Sequence, residues 1–193
     1  MSSPLAAAIA GLCSKDSAAQ FAAATEIYHA GRVPGDQAVV SWWRNPELSE
    51  LLFWPDPQVT VGLAVEPAAF TRIHDANGAP PLAHVPPDQD AEEFELHFPD
   101  GISLDVLTTR APGGPGAIAR YLVKFGEGIQ QVEFRSSDVD RATAILKESL
   151  GVVPIYPQTR AGADGTRVNF FLVPALGAGK VLIELYESAA IVR

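Results

Sequence analysis

Cysteine, methionine and basic residues are all scarce in this chain. Its 193 residues include one cysteine, Cys13, so neither an intrachain disulfide nor a cysteine-based zinc site is expected. The 14 lysines and arginines are outnumbered by 23 aspartates and glutamates, which gives a formal charge of −9. The basic residues form no cluster, and binding a phosphate backbone requires one. No nucleic-acid partner is therefore expected.

The sequence also lacks a hydrophobic run long enough to cross a membrane. The first ten residues are apolar and rich in alanine, but the run is short and no basic residue precedes it. We interpret it as a helix rather than as a signal peptide or a membrane span. Hydrophobic residues make up 47% of the chain, enough for a folded core. The expectation is a soluble cytoplasmic protein with no membrane partner.

Residues 1–58 are expected to form an N-terminal helical arm. The alanine-rich residues 4–30 predict two helices, and residues 46–53 predict a third. Residues 31–35 contain two glycines and a proline, which predict a loop, while residues 37–43 fit either a strand or a helix. The three tryptophans of the arm are expected to be buried against the rest of the protein.

From residue 59 onward, the same order of elements occurs twice. One copy of strand, helix and further strands occupies residues 59–110, and the second occupies residues 129–193, with a linker and a connecting helix at residues 111–128. The closing strands match best, because Gly101-Ile-Ser-Leu-Asp-Val-Leu and Gly179-Lys-Val-Leu-Ile-Glu-Leu each set one acid, Asp105 or Glu184, between aliphatic residues. The opening strands match with Thr60 aligned to Gln131.

This repeat predicts an α+β fold made of two βαβββ modules. Two such modules pair their sheets into a half-barrel cup with helices outside. Alternation along residues 129–135 turns Gln131, Glu133 and Arg135 to the face opposite Val132 and Phe134. The same reasoning applied to every strand predicts the polar lining of the cup: Glu93, Glu95, His97, Asp105, Gln131, Glu133, Arg135, Asn169, Glu184 and Tyr186.

Acid–base chemistry is the reaction type that such a lining favours. Several carboxylates in one concave site raise one another's pKa, which suits a general acid or base near neutral pH. Asp105 and Glu184 are the first catalytic candidates, since an isolated acid among aliphatics is costly unless it is partnered. His97 is the third, because imidazole titrates near pH 7. Arg135 is expected either to pair with Glu133 or to hold a substrate oxyanion.

Purely structural roles for the same residues stay open. Glu93 and Glu95 fit a solvated sheet edge, and His97 fits a plain surface position. Glu133 and Arg135 fit an ion pair that only stabilises the sheet.

One stretch of the chain resembles a known superfamily. Residues 119–134, Ala-Arg-Tyr-Leu-Val-Lys-Phe-Gly-Glu-Gly-Ile-Gln-Gln-Val-Glu-Phe, resemble the vicinal oxygen chelate (glyoxalase/bleomycin-resistance) superfamily. The similarity is greatest to its methylmalonyl-CoA epimerase-like branch, where a similar helix leads into Gly-Glu-Gly-Ile-His-His-Ile-Ala-Phe. Arg167-Val-Asn-Phe-Phe-Leu and Val181-Leu-Ile-Glu-Leu are also similar to that branch. The resemblance covers residues 59–187 and leaves the arm without a counterpart.

The resemblance also implies a set of site residues. Members of the superfamily bind a divalent metal at four strand positions, typically His, Gln or Glu, His and Glu. These positions correspond to Thr60, Asp105, Gln131 and Glu184, so both histidines are replaced and no cofactor is expected. If a metal is bound, Asp105, Gln131 and Glu184 are ligands that suit a hard cation such as Mg²⁺. The remaining lining residues are expected to bind substrate: Thr60, Gln131, Glu133, Arg135, Asn169 and Tyr186.

Three functions fit this site. The first is an isomerase, lyase or cyclase that moves a proton next to a carbonyl, for example in natural-product biosynthesis. The second is a metal-free protein that sequesters a small molecule, as in drug resistance. The third is a structural or regulatory module whose site has decayed. A small-molecule substrate and either a monomer or a homodimer are consistent with the fold that the resemblance implies.

Overall fold

The computed structural model describes residues 3–175, 177 and 179–188. The chain divides into two compact units, one made of residues 1–31 and 60–130 and the other of residues 32–59 and 131–193. Each unit therefore contains one copy of the repeat and one part of the N-terminal arm.

Three helices form the arm: α1 (Pro4–Gly11), α2 (Ser17–Val39) and α3 (Pro46–Leu51). The Ser3 hydroxyl oxygen begins α1 by accepting a hydrogen bond from the backbone N–H of Ala6. Asp16 accepts from the N–H of Ala18 at the start of α2. Side-chain oxygens at these positions satisfy N–H groups that have no partner within the helix.

The predicted loop at residues 31–35 is wrong, because α2 continues through Pro34 to Val39. Close packing explains the difference. In the first unit, a Cβ on Gly31 would lie 2.5 Å from Cγ1 of Val61, and in the second unit a Cβ on Gly35 would lie 2.8 Å from Cγ1 of Val132. These glycines allow the helix backbone to pack directly on strand side chains, and this burial offsets the cost of about 3 kcal/mol for an internal proline.

The first unit contains a sheet of three strands. They are β1 (Val59–Ala64), β2 (Ala91–His97) and β3 (Ser103–Thr109), with α4 (Pro67–Ala76) after β1 and α5 (Ala117–Phe125) after β3. The central strand β3 runs parallel to β1 and antiparallel to β2. On one face, Leu63, Phe94 and Leu104 are buried in a core that includes residues of α1, α2 and α4.

This first copy reads βαββ rather than the predicted βαβββ. The chain between α4 and β2 contains no strand in the structure. Proline has no N–H to donate to a sheet ladder, so proline-rich segments seldom form inner strands. Four prolines occupy this segment: Pro80, Pro81, Pro86 and Pro87.

The second unit has the predicted βαβββ order. It consists of β4 (Gly128–Arg135), α6 (Val139–Ser149), β5 (Arg160–Ala161), β6 (Arg167–Ala175) and β7 (Gly179–Glu187). The Asp138 carboxylate begins α6 by accepting from the N–H of Arg141 at 2.8 Å. The strand order is β4-β7-β6-β5, with β7 parallel to β4 and antiparallel to β6.

The core of the second unit lies on one face of this sheet. Val132, Phe134 and Ile183 are fully buried there, in one cluster with residues of α6 and the arm. The fold class is thus confirmed as α+β with an N-terminal helical region. None of the described helices is long and apolar enough to cross a membrane.

The three tryptophans of the arm differ in burial. Trp42 is fully buried, with its ring centroid 6.0 Å from that of Phe171, as predicted. Trp54 is 52% exposed and stacks on Trp43 at 4.8 Å, so the prediction of burial is wrong for this residue.

The strand registers confirm the repeat that the sequence indicates. In the first unit, Asp105 of β3 is paired with Gly62 of β1 in a parallel register. In the second unit, Glu184 of β7 is paired with Glu133 of β4 in the same way. Gly62 and Glu133 stand two residues after Thr60 and Gln131, the residues aligned in the repeat. The two acids therefore occupy equivalent places in the two units.

Candidate functional site

The second unit brings three polar side chains together on the sheet face opposite its core. Gln131 and Glu133 are two residues apart on β4, so they point the same way, and Glu184 lies beside Glu133 on β7. Although polar, these residues are only 6%, 7% and 9% exposed. Burying such groups is costly unless they are hydrogen-bonded.

A single amide connects the two carboxylates. Gln131 Nε2 donates to Glu133 Oε1 at 3.0 Å and to Glu184 Oε2 at 2.6 Å. The amide nitrogen carries two hydrogens, one for each acid. The two carboxyl groups are therefore neighbours on one face of the sheet.

Arg135 lies two residues beyond Glu133 on the same face of β4, opposite Tyr186 of β7. Its Nη1 donates to Gln58 Oε1 at 2.8 Å, and its guanidinium lies over the Phe53 ring, 5.5 Å from the centroid. The alternative in which Arg135 pairs with Glu133 is wrong, since Arg135 forms no ion pair with any carboxylate in the described part of the chain.

Asn169 does not join this group, so its predicted position in the lining is wrong. It is paired with Leu185, a residue of the core face, and is fully buried. Its Nδ2 donates to the Tyr156 carbonyl at 3.2 Å, and its Oδ1 accepts from the N–H of Phe170. The sequence was ambiguous here, because β6 places aromatic residues on both faces, Phe170 on one and Phe171 on the other.

In the first unit, Asp105 lies on the face opposite the core and is 6% exposed. Glu95 of β2 is directly across from it, and Gly62 of β1 is on its other side. Thr60, two residues before Gly62, is also buried and shares this face. Glu93 follows the same alternation, opposite Leu107.

His97 belongs to a more exposed group at the end of the same face. Its Nε2 lies 2.9 Å from Glu95 Oε2, and its Nδ1 lies 3.2 Å from the hydroxyl oxygen of Ser103, which the sequence did not single out. The side chains of His97 and Glu95 are 67% and 57% exposed. Solvent weakens the electrostatic coupling of such a pair, so this group is less suited to proton transfer than the buried acids.

Gln58 and Phe53 are contacts of Arg135 that sequence reasoning missed. Both belong to the arm, where the repeat gave no information. Phe53 also has a positive φ of 60°, a conformation that its sequence context does not announce.

The polar residues of the second unit do not fit the divalent metal that the superfamily resemblance implies. Gln131 presents its nitrogen, a hydrogen-bond donor, to Glu133 and Glu184, whereas an amide binds a metal through its oxygen. In the described ranges, no group of three or more His, Cys, Asp and Glu side chains is arranged to hold a metal ion.

Several solved structures are similar to this chain. Methylmalonyl-CoA epimerase from Mycobacterium tuberculosis shares 33% sequence identity, covering 68% of this chain and 87% of that one with a TM-score of 0.55. The Streptomyces coelicolor methylmalonyl-CoA epimerase in complex with 2-nitronate-propionyl-CoA shares 26% identity over 68% of this chain and 96% of that one, with a TM-score of 0.54.

A hypothetical protein from Bacillus halodurans has the same fold, at 23% identity over 69% of this chain and 95% of that one, with a TM-score of 0.56. No protein-family model and no curated protein matches the sequence. The chain belongs to the vicinal oxygen chelate superfamily, and methylmalonyl-CoA epimerases are among its relatives.

Proposed function

We propose that this protein is an isomerase that moves a proton next to a carbonyl group, with Glu184 as the base. The observation that carries the proposal is the buried bridge from Gln131 to Glu133 and Glu184. A base must be ionised and close to a second group that can return the proton. Two carboxyl groups held by one amide supply such a pair, with Glu184 as the base and Glu133 as the proton donor.

The reaction proceeds in two proton transfers. Glu184 removes the proton from the carbon next to the carbonyl, the C–H electron pair forms the enolate double bond, and the negative charge moves to the carbonyl oxygen. Glu133, which starts the cycle protonated, then donates its proton to the opposite face of the carbon as the enolate electron pair re-forms the C–H bond and the carbonyl. Glu184 is left protonated and Glu133 ionised, and proton exchange with solvent restores the starting state. When the proton goes instead to a different atom on the same face, Glu184 itself returns the proton that it removed. Tyr186, two residues after Glu184 on the same face, supplies a hydroxyl donor for the enolate oxygen.

Asp105 is the second acid–base candidate, because its place in the first sheet is equivalent to that of Glu184. Acyl thioesters are the first substrate class to test. Solved structures of related epimerases hold methylmalonyl-CoA or 2-nitronate-propionyl-CoA. Lyase and cyclase reactions, including those of natural-product biosynthesis, can begin with the same proton removal. Substrates of such reactions are the second class to test.

Isotope exchange tests this proposal even when the final product is unidentified. The protein is incubated in D₂O with methylmalonyl-CoA and other 2-substituted acyl-CoA esters, and loss of the α-proton signal is followed by NMR. We expect exchange with at least one ester, reduced about 10²- to 10⁴-fold by Glu184→Gln, which is the usual contribution of a general base. Glu148→Gln, an exposed acid on α6, is the control and retains the wild-type rate.

Absence of exchange with every ester, together with tight binding of one of them, would replace the isomerase by a ligand-sequestering protein. Equal exchange by wild type and Glu184→Gln would remove Glu184 from the mechanism.

A further inference from the structure

Phe53 occupies a backbone position that normally favours glycine. Its φ is 60°, and it directly follows the last residues of α3. The N–H of Phe53 donates to the Glu50 carbonyl at 3.1 Å, and the N–H of Trp54 donates to the Ser49 carbonyl at 2.9 Å. This pair of hydrogen bonds closes a helix through a left-handed residue, a conformation that is less favourable for an ordinary side chain than for glycine.

Burial of the ring does not explain why phenylalanine stands there. Phe53 is 38% exposed, so only part of its apolar surface is removed from water. Its ring instead lies against the guanidinium of Arg135. Strained residues of this kind are concentrated at binding and catalytic sites, where the side chain has a use that offsets the strain.

Arg135 differs from several other arginines of the chain. Arg32, Arg110, Arg141 and Arg167 each form an ion pair with an aspartate or glutamate. Arg135 is held only by neutral groups in the described part of the chain, the Gln58 amide oxygen and the Phe53 ring. These contacts orient the guanidinium but supply no anion to match its charge, in a protein of net charge −9.

We propose that Arg135, Gln58 and Phe53 form a binding subsite for an oxyanion attached to a flat apolar group. The guanidinium edge binds a carboxylate or phosphate in its plane, a geometry in which two parallel N–H groups meet two oxygens. The Phe53 ring supports the guanidinium and offers an apolar surface to the rest of the ligand.

This subsite also identifies a feature of the substrate. Arg135 and Glu133 are two residues apart on the same face of one strand, about 7 Å along it. A substrate anchored by its oxyanion at Arg135 therefore extends a few atoms towards the carboxylate pair. This second statement rests on the proposed function, whereas binding at Arg135 does not.

Binding of three probes tests the subsite: benzoate, its neutral counterpart benzamide, and inorganic phosphate. Isothermal calorimetry or ligand-detected NMR measures each dissociation constant with wild-type protein and variants. We expect benzoate to bind at least tenfold more tightly than benzamide and than phosphate. Arg135→Gln weakens benzoate at least tenfold and leaves benzamide unchanged. Arg160→Gln is the matched control, because Arg160 also lies over an aromatic ring, Tyr156 at 4.7 Å, in the same unit.

The glycine variant separates binding from folding. Phe53→Gly relieves the left-handed strain and raises the melting temperature, yet it weakens benzoate severalfold. A loss of affinity together with a gain of stability is not produced by damage to the fold.

Three results would overturn the subsite: equal affinity for benzoate and benzamide, unchanged benzoate affinity in Arg135→Gln, or phosphate bound as tightly as benzoate. Failure of the proposed function has a different signature. Benzoate binding that depends on Arg135, without α-proton exchange on any ester, retains the subsite and removes the isomerase. Exchange on an ester, without any benzoate binding that depends on Arg135, retains the isomerase and removes the subsite.

Discussion

Gln131 Nε2 and Glu184 Oε2 lie 2.6 Å apart, so the amide on β4 donates a hydrogen bond directly to the acid on β7. The same amide donates to Glu133. The repeat makes this arrangement specific to the second unit, because Gly62 occupies in the first unit the place that Glu133 occupies in the second. The two modules thus each have one acid in the equivalent place. They differ in the residue paired with that acid, which is a glycine in the first unit and a glutamate in the second.

Removal of the bridging amide destabilises the protein. Gln131→Leu takes away two donors and leaves two buried carboxylates without them, so we expect the free energy of unfolding to fall by about 2–4 kcal/mol. Urea denaturation at pH 7 measures the change. Gln130→Leu is the matched control, since the Gln130 side-chain oxygen is buried with no hydrogen-bond partner among the described residues. A smaller loss in Gln131→Leu than in Gln130→Leu would contradict the structural role of the bridge.

The glycine of α2 that faces β1 gives a prediction with an unusual sign. Gly→Ala inside a helix normally stabilises by up to about 1 kcal/mol. Gly31→Ala instead places a methyl group 2.5 Å from Val61 Cγ1, and we expect a loss of about 1–3 kcal/mol in the free energy of unfolding. Adding Val61→Ala makes room for the methyl group. The double variant should therefore lose less free energy of unfolding than the two single variants lose in total. Additive single effects would show that the two residues do not meet.

Acid stability depends in part on Asp140 at the start of α6. The Thr159 hydroxyl, donating at 2.6 Å, and then the Arg167 guanidinium lower the pKa of Asp140 below its usual value. A carboxyl with a lowered folded-state pKa stabilises the protein above its unfolded pKa of about 3.9 and loses that contribution as pH falls through the folded value.

We therefore expect Asp140→Asn to lower stability at pH 6 by less than about 1 kcal/mol, because the group is exposed to solvent. The difference in stability between Asp140→Asn and wild type shrinks as the pH falls below 4. Urea midpoints between pH 2.5 and 6 measure this. A difference in urea midpoint that grows as the pH falls would contradict the lowered pKa of Asp140.

Tyr121 gives a prediction at the alkaline end. Burial raises the pKa of its phenol above the usual value, and its hydroxyl donates to the Ile129 carbonyl at 2.7 Å. Stability from a group with a raised pKa is present below its unfolded value, about 10, and is lost as pH rises through the folded value. Tyr121→Phe is expected to lose about 1 kcal/mol at pH 7. Above pH 10 its melting temperature falls less steeply than that of wild type, and parallel curves would contradict the assignment.

The sequence predicted the parts of this protein that depend on local pattern. Strict alternation in β4 identified Gln131 and Glu133, and the matched closing strands identified Glu184 and Asp105. The order of strands and helices in the second unit follows from the same kind of information.

Features set by tertiary packing were not predictable in this way. Glycines and a proline at residues 31–35 indicate a loop by local rules, but their small size matters because Val61 and Val132 pack against the helix. Asn169 was placed on the wrong face because both faces of β6 carry aromatic residues. The contact of Phe53 with Arg135 joins residues far apart in sequence, and no sequence pattern predicts it.

Glu133 and Glu184, both hydrogen-bonded to Gln131, are expected to act as one proton-transfer unit. A double-mutant cycle on the rate of α-proton exchange tests it most directly, using Glu133→Gln, Glu184→Gln and the double variant. Residues that act as a unit are strongly non-additive. We predict that the double variant exchanges no more than threefold more slowly than Glu184→Gln alone. If the two single effects multiply, the carboxylates act independently and the account is contradicted.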